Sequence, residues 1–370
     1  MKAPGRLVIG IDGRAFQGPR TGVGRYVASL CERLDRLLPE AHFIVYSHLP
    51  LVMPQVSDRW RLRVDGFFLS KRFKAIVWLK WRCGAMARKD GLDLFWGSGT
   101  LLPRLPKRVR TFVTAYDLNF RLVPDSMVGT HRIAHQLFYA SDLRRADRVT
   151  TISQGTADRI FEAFARKTDA VILPAVSDHF RPASDSECGE VLRRCGISAP
   201  YLLAVATWEP RKNLALLIKA FLKLKEQDAL PGFKLVLVGG KGWKDDQLRA
   251  SISEAQEAHL IPLGFVPDGD LPALYTSAEA FVFPSLYEGY GMPPLEARAC
   301  GTRVVCSDVP EIREAAGPDA VYVQPNLEGI MEGIVVAMRR HKPGDRPAAL
   351  PTWETGAGQM RDIIRGLLSA

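Results

Sequence analysis

No C-x-x-C pair occurs in the 370-residue sequence: its six cysteines stand at 31, 83, 188, 195, 300 and 306. They form no tight framework and suit free thiols in a reducing compartment, with cytosol the expected location. No apolar stretch approaches the roughly 20 residues needed to cross a bilayer, so any membrane association is expected to be peripheral. The early apolar run Leu7 to Ile11 is too short for a signal h-region and is cut by Asp12, and no secretion signal is expected. No H-E-x-x-H occurs either; His131 and His135 share i, i+4 spacing but have no intervening Glu and no evident third ligand, so they read as surface or packing histidines. A complete G-x-G-x-x-G followed by an acidic strand end is missing, which sets a dinucleotide-dependent oxidoreductase aside. Internal repeats and low-complexity tracts are absent too.

What is present is the composition of a soluble globular protein, 47% hydrophobic and 24% charged, at a length that favours two domains over one core. Charge is unevenly placed. Residues 1–180 hold 29 Lys and Arg against 16 Asp and Glu, whereas the remainder holds 21 against 24. A basic first half can attract nucleic acid, anionic lipid or a phosphorylated acceptor, and sign alone does not choose among them. Short β-branched runs alternate with longer amphipathic ones, the pattern of α/β folds with parallel sheets. Strands are expected at Leu7–Ile11, Phe43–Ser47, Leu62–Asp65, Leu92–Trp96, Thr111–Thr114, Arg148–Ile152 and Ala170–Leu173. A second set falls at Tyr201–Ala206, Lys234–Val238, Leu260–Leu263, Ala280–Phe283, Arg303–Cys306 and Ala320–Val323. Helices such as Asn213–Glu226 and Gln247–Ala258 fill the gaps. Pro174, Pro182 and Pro200 punctuate a polar stretch between the halves, the expected boundary of two Rossmann-like units. Ligands of such sheets sit beyond the carboxyl ends of the strands, so two facing units are expected to form an inter-domain cleft.

The most informative run is Phe283-Pro284-Ser285-Leu286-Tyr287-Glu288-Gly289-Tyr290-Gly291-Met292-Pro293-Pro294-Leu295-Glu296-Ala297-Arg298-Ala299-Cys300-Gly301. A strand ends in a loop with two glycines, a Pro pair begins a helix, and a second glutamate follows the first by about two turns. Glycines let backbone N–H groups approach a diphosphate, the helix N-terminus favours its charge, and carboxylates can bridge vicinal sugar hydroxyls. Taken alone, Glu288 and Glu296 read more readily as a loop charge and a solvated helix residue.

The surrounding residues make the run resemble the E-x7-E motif of glycosyltransferase family 4, whose usual form is E-G-F-G-x-x-x-x-E. That resemblance implies that Glu288 contacts a transferred hexose, that the backbone of Gly289, Tyr290, Gly291 and Met292 approaches sugar and phosphate, and that Glu296 holds a ribose. Other segments resemble the family in the same order along nearly the whole chain. Asp12-Gly13-Arg14 with Gly18-Pro19-Arg20-Thr21-Gly22-Val23-Gly24-Arg25-Tyr26 resembles its first strand, glycine loop and first helix, with Gly22 a donor-side candidate. Thr150-Thr151-Ile152-Ser153-Gln154 and Leu173-Pro174-Ala175-Val176-Ser177-Asp178 resemble the strand and linker at its domain junction. Val205-Ala206-Thr207-Trp208-Glu209-Pro210-Arg211-Lys212-Asn213 resembles the segment opening the donor-binding domain. There Arg211 and Lys212 would stabilise charge on a leaving diphosphate, although a solvated pair at a helix start is the ordinary alternative. Thr207 stands where many relatives carry an extra arginine, and Gly264-Phe265-Val266 resembles a segment passing the nucleotide base.

Where the family often shows His-Asp, this chain reads Thr114-Ala115-Tyr116-Asp117-Leu118, so Tyr116 and Asp117 are candidates for acceptor or hexose contact. Asp268-Gly269-Asp270 superficially matches a metal-binding D-x-D but precedes Leu271-Pro272-Ala273-Leu274-Tyr275, and helix capping is the expected role. No cofactor and no essential metal are expected. The basic, aromatic stretch Lys71 to Arg82 suits either an anionic membrane interface or an amphipathic helix on its own sheet.

The resemblance implies an α/β protein of GT-B fold: an acceptor-binding domain over residues 1–180, a nucleotide-sugar domain over 181–350, and a helix within 351–370 crossing back to the first domain. It also implies retaining transfer of a hexose, with mannose from GDP-mannose the leading donor, to a glycan or lipid-linked acceptor in O-antigen or exopolysaccharide synthesis, peripheral to the inner face of the membrane. Nucleic acid is not an expected partner. A sugar-nucleotide 2-epimerase on the same scaffold, or a basic lipid- or nucleic-acid-binding module without catalysis, are the alternatives.

Overall fold

The computed structural model describes residues 7–18, 21–67, 75–124, 129–198, 200–240, 252 and 259–369, the side chains of 130 and 131 excepted. The expected helix Gln247–Ala258, apart from Ile252, lies outside the described residues, as do Lys71 to Lys74 of the basic stretch and the side chain of His131. The chain divides into two compact units. The first runs from the N-terminus to Pro174, apart from a few residues after Arg121, and is completed by Pro351–Ala370. Ala175–Leu350 forms the second.

Among the described residues of the first unit, seven strands make one sheet in the order β3-β2-β1-β4-β5-β6-β7. They are β1 Leu7–Asp12, β2 Ala41–Ser47, β3 Trp60–Val64, β4 Leu94–Gly97, β5 Arg110–Ala115, β6 Arg148–Thr151 and β7 Ala170–Val171. Every pairing is parallel. In β1 and β5 every residue after the first is buried, as strands covered on both faces require. The helix Gly22–Leu37 starts where the Thr21 hydroxyl accepts the Gly24 N–H at 3.2 Å. Its apolar stripe, Tyr26, Val27, Leu30, Cys31 and Leu34, is buried. The last helix, Trp353–Ser369, belongs to this unit and meets that stripe: the Tyr26 and Trp353 rings lie edge to face at 5.7 Å, and Arg33 pairs with Glu354 at 2.8 Å.

The second unit repeats the plan. Its described strands are β8 Tyr201–Val205, β9 Lys234–Val238, β10 Leu260–Gly264, β11 Ala280–Phe283, β12 Val304–Ser307 and β13 Val321–Val323. They pair in parallel in the order β10-β9-β8-β11-β12-β13. The helix Leu214–Glu226 buries Leu217, Ile218, Phe221 and Leu224 against this sheet, and Leu327–Arg339 adds Ile330 and Ile334 to the same core.

In the basic stretch, Trp78 is fully buried and donates from Nε1 to Asp65 at 3.1 Å; Arg82 also pairs with Asp65, and Lys80 pairs with the buried Asp142. Trp78 is a core residue, so of the two tryptophans only Trp81, 75% exposed, faces outward. Asp270 precedes the helix Leu271–Ser277 but makes no side-chain cap; a distant partner wins its carboxylate, which accepts from Arg194 at 2.6 Å. No helix among the described residues is long and apolar enough to cross a membrane.

Candidate active site

Strands β8 and β11 are hydrogen-bonded neighbours running in the same direction, so the loops leaving their carboxyl ends emerge side by side. The loop after β8 turns through the short 3-10 helix Pro210–Lys212, and Asn213 takes a left-handed conformation, φ 58°, before the helix Leu214–Glu226. The Leu286 N–H donates to the Arg211 carbonyl at 2.8 Å, which stitches this loop to the one after β11.

That stitch brings three of the expected residues together. Lys212 donates from Nζ to Glu288 Oε1 at 2.6 Å, and Arg211 donates from Nη1 to Glu288 Oε2 at 2.7 Å. Arg211 is also held by Glu209, which accepts from its Nε at 3.0 Å. Lys212 and Glu288 are both buried, and the Lys212 ammonium lies over the Phe283 ring at 5.1 Å. A solvated pair at a helix start is therefore not what the sequence builds. Burial by itself would raise the Glu288 carboxyl, but the charges of Lys212 and Arg211 and the hydrogen bonds they donate outweigh it and hold the group below the ordinary glutamate value. Glu288 is thus an ionised carboxylate clamped at both oxygens.

Eight residues on, Glu296 sits in the helix Met292–Ala299, buried, and accepts from the Tyr275 hydroxyl at 3.0 Å. The helix begins at Gly291, whose φ of 109° suits glycine, and Pro293 and Pro294 occupy its first turn where no N–H is needed. In the loop after β11, the buried Ser285 Oγ and Tyr290 Oη have no partner among the described residues, as Trp208 Nε1 has none beside Glu209. Buried polar atoms left unpaired are uncommon, and two of these flank Glu288 along the chain while the third adjoins Glu209. Thr207 is exposed, and the Phe265 ring is 81% exposed.

In the first unit the expected residues are differently employed. The Tyr116 hydroxyl donates to the Ser98 carbonyl at 2.7 Å, and its ring packs edge to face on Tyr26 at 5.7 Å; burial pushes the phenol far above its ordinary value. Asp117 accepts from the Asn119 N–H at 3.0 Å and from the Asn119 side chain at 2.7 Å, opening the short helix Asn119–Leu122. A Cβ built at Gly22 would meet nothing within 4 Å, whereas at Gly24 it would stand 2.6 Å from the Ala15 carbonyl oxygen, so Gly24 is the glycine that packing demands.

Reading the sequence missed Glu209 as the second carboxylate on Arg211, though its spacing two residues before the arginine was visible. It also missed Asp12 and Arg14, which form a bidentate pair at the carboxyl end of β1, with Nη2 2.6 Å from Oδ2 and the Asp12 side chain fully buried. Next along the chain from Gly99, which borders both side chains, is Thr100, a β-branched residue at φ 69° whose hydroxyl donates to the Thr114 carbonyl at 2.9 Å. Left-handed threonine is a strained conformation that concentrates in functional loops.

Two parallel Rossmann-like units, the second carrying a glutamate clamped by Arg and Lys in the loops beyond its central strands, define a glycosyltransferase of GT-B fold. The family models agree: residues 20–178 match Glycosyltransferase Family 4, and residues 198–339 match glycosyl transferases group 1. The O-antigen chain mannosyltransferase B of Escherichia coli is 32% identical over 324 residues, covering 83% of this chain and 84% of its own. The serotype-specific mannosyltransferase WbdA of Escherichia coli is 32% identical over 200 residues, 51% of this chain but 24% of that longer protein. In three dimensions, sucrose-phosphate synthase from Thermosynechococcus elongatus superposes with a TM-score of 0.75 at 19% identity over 98% of this chain and 99% of its own. The chain belongs to glycosyltransferase family 4 and is a hexosyltransferase.

Proposed function

We propose that the enzyme transfers mannose from GDP-mannose, with retention of anomeric configuration, to a glycan carried on a lipid at the cytoplasmic face of the membrane. Support for mannose comes from the O-antigen mannosyltransferase relative that spans most of the chain. Support for the chemistry comes from the Glu288 clamp. A carboxylate kept ionised by two cations can accept hydrogen bonds from hexose hydroxyls, and Arg211 and Lys212 are then placed to neutralise the diphosphate that departs on the same side. Retention follows from front-face attack within a tight ion pair, in which the leaving phosphate removes the acceptor proton and no protein nucleophile forms a bond to the sugar. Glu296 takes the ribose, the backbone of Gly289 to Met292 the phosphates, and Thr207 and Phe265 border the donor. The two cations do the work a metal ion does elsewhere, and no metal is required.

The test is release of nucleoside diphosphate from a panel of sugar nucleotides, with EDTA throughout and with membrane-extracted glycolipid present or absent. Glycolipid-dependent release of GDP from GDP-mannose, a product of retained configuration, and at least a hundredfold loss in Glu288→Ala support the proposal. Release from another donor, a requirement for added metal, or epimerisation of the donor without an acceptor would each refute the corresponding part.

A further inference from the structure

A cavity of about 430 Å³ opens in the second unit at the amino ends of β12 and β13, where Val304 and Val321 form part of its wall. The Glu288 loop leaves the carboxyl end of β11, so this cavity lies at the opposite edge of the same sheet from the donor residues. Three arginines line it, Arg298, Arg303 and Arg340, against one acidic residue, Asp319. Helix carboxyl ends gather at this edge and ordinarily attract cations to their free carbonyls. Two of the arginines are engaged by the protein: Arg303 donates to the Arg340 carbonyl, just past a helix end, at 2.9 Å and to Glu279 at 3.0 Å, and Arg340 donates to the Asp319 carbonyl in a turn at 3.3 Å.

Arg298 is not. Among the described residues it donates no hydrogen bond and pairs with no carboxylate, and its Nε is buried without a partner. Space for its guanidinium depends on Gly317, where a Cβ would stand 2.5 Å from Arg298 Cζ, and Gly317 holds φ 76° and ψ −179°, a conformation reserved for glycine. The backbone thus makes room for an arginine that is paired with no carboxylate among the described residues.

We propose that this cavity is a second anion site, which binds the phosphate group of a small phosphorylated molecule through Arg298 and Arg340. Guanidinium presents a planar fork of N–H donors that fits phosphate oxygens, and the valine-lined wall accepts the uncharged remainder of the ligand. The site does not depend on the donor assignment, since none of its residues touches the Glu288 cluster.

The test is calorimetric titration of the full chain with inorganic phosphate and, separately, with glucose 6-phosphate, in wild type and in Arg298→Gln, Arg340→Gln and Arg211→Gln. Binding of either probe that weakens about tenfold or more in Arg298→Gln and in Arg340→Gln, yet persists in Arg211→Gln, is expected, and the better-bound probe tells a free phosphate site from a phosphate-ester site. Arg340 is exposed, so its variant decides the matter if Arg298→Gln misfolds. Absence of binding in wild type, binding lost only in Arg211→Gln, or binding of a polyglutamate peptide in place of both phosphates would overturn the proposal.

Discussion

Replacing Glu288 by Gln keeps the size of the side chain and removes the charge that balances Lys212. The Lys212 ammonium, buried and 2.6 Å from that carboxylate, then loses its hydrogen-bonded anionic partner, while Glu209 attracts it more weakly and Arg211 beside it repels. Removing one member of a buried pair typically costs about 3–5 kcal/mol. The cost has a ceiling, since the ammonium can shed its proton: from an ordinary lysine value of about 10.4, that release at pH 7 costs about 4.6 kcal/mol. Glutamine still offers an acceptor oxygen, so the expected destabilisation is about 2–4 kcal/mol at pH 7. The pH dependence has a definite sign. In the variant the folded-state lysine sits further below its unfolded value than in wild type, so the unfolded chain binds more protons and the variant gains stability relative to wild type as pH rises. Urea unfolding followed by far-UV circular dichroism at pH 7 and pH 9.5 should show the deficit shrinking at the higher pH. Adding Lys212→Met should recover at least about 1 kcal/mol relative to the sum of the single effects. A deficit below about 1 kcal/mol at pH 7, or one indifferent to pH, would refute the view that Glu288 chiefly neutralises a buried lysine.

Asp35 in the first unit accepts from the Ser57 N–H and hydroxyl, from Trp60 Nε1 and from Arg59. These outweigh burial and hold its carboxyl below the ordinary range. Asp35→Ala should cost about 1.5–3 kcal/mol at neutral pH, and the gap to wild type should close as acid titration passes through the folded-state value. Gly24→Ala drives a methyl against the Ala15 carbonyl and should lower stability by about 1–3 kcal/mol, whereas Gly22→Ala should change it by less than about 0.5 kcal/mol; equal melting temperatures for the two would contradict this. A donor KM that rises in the stable Gly22→Ala would then report on ligand contact. Gly317→Ala meets both backbone strain and the Arg298 guanidinium, and a loss of about 1–3 kcal/mol in urea titration is expected.

All thirteen strands expected from the sequence fall on observed strands within a residue or two, because parallel strands buried on both faces read as short apolar runs. What could not be read was partnership across distance. Lys212 and Glu288 are 76 residues apart, and their contact exists only because β8 and β11 are neighbours, a fact of strand order that no local spacing encodes. The same applies to Asp270, whose position before a helix suggests a cap until Arg194 arrives from another helix. Trp78 and Trp81 carry one amphipathic signature, yet one is core and the other exposed, and only the tertiary partner Asp65 separates them. Tyr116 stands at a position the family resemblance marks as functional, but its hydroxyl is engaged by Ser98.

The placing of Trp353–Ser369 in the first unit has a consequence for synthesis. Ribosomes deliver that unit's sheet first and its last helix only after about 175 further residues, which at about 5–20 residues per second takes roughly 10–35 s. Throughout that interval the Tyr26 face of the helix Gly22–Leu37 lacks the cover that Trp353 provides. The half that is made first is therefore the half that is finished last, and a nascent chain stalled before Pro351 would carry a complete second unit beside an uncapped first one.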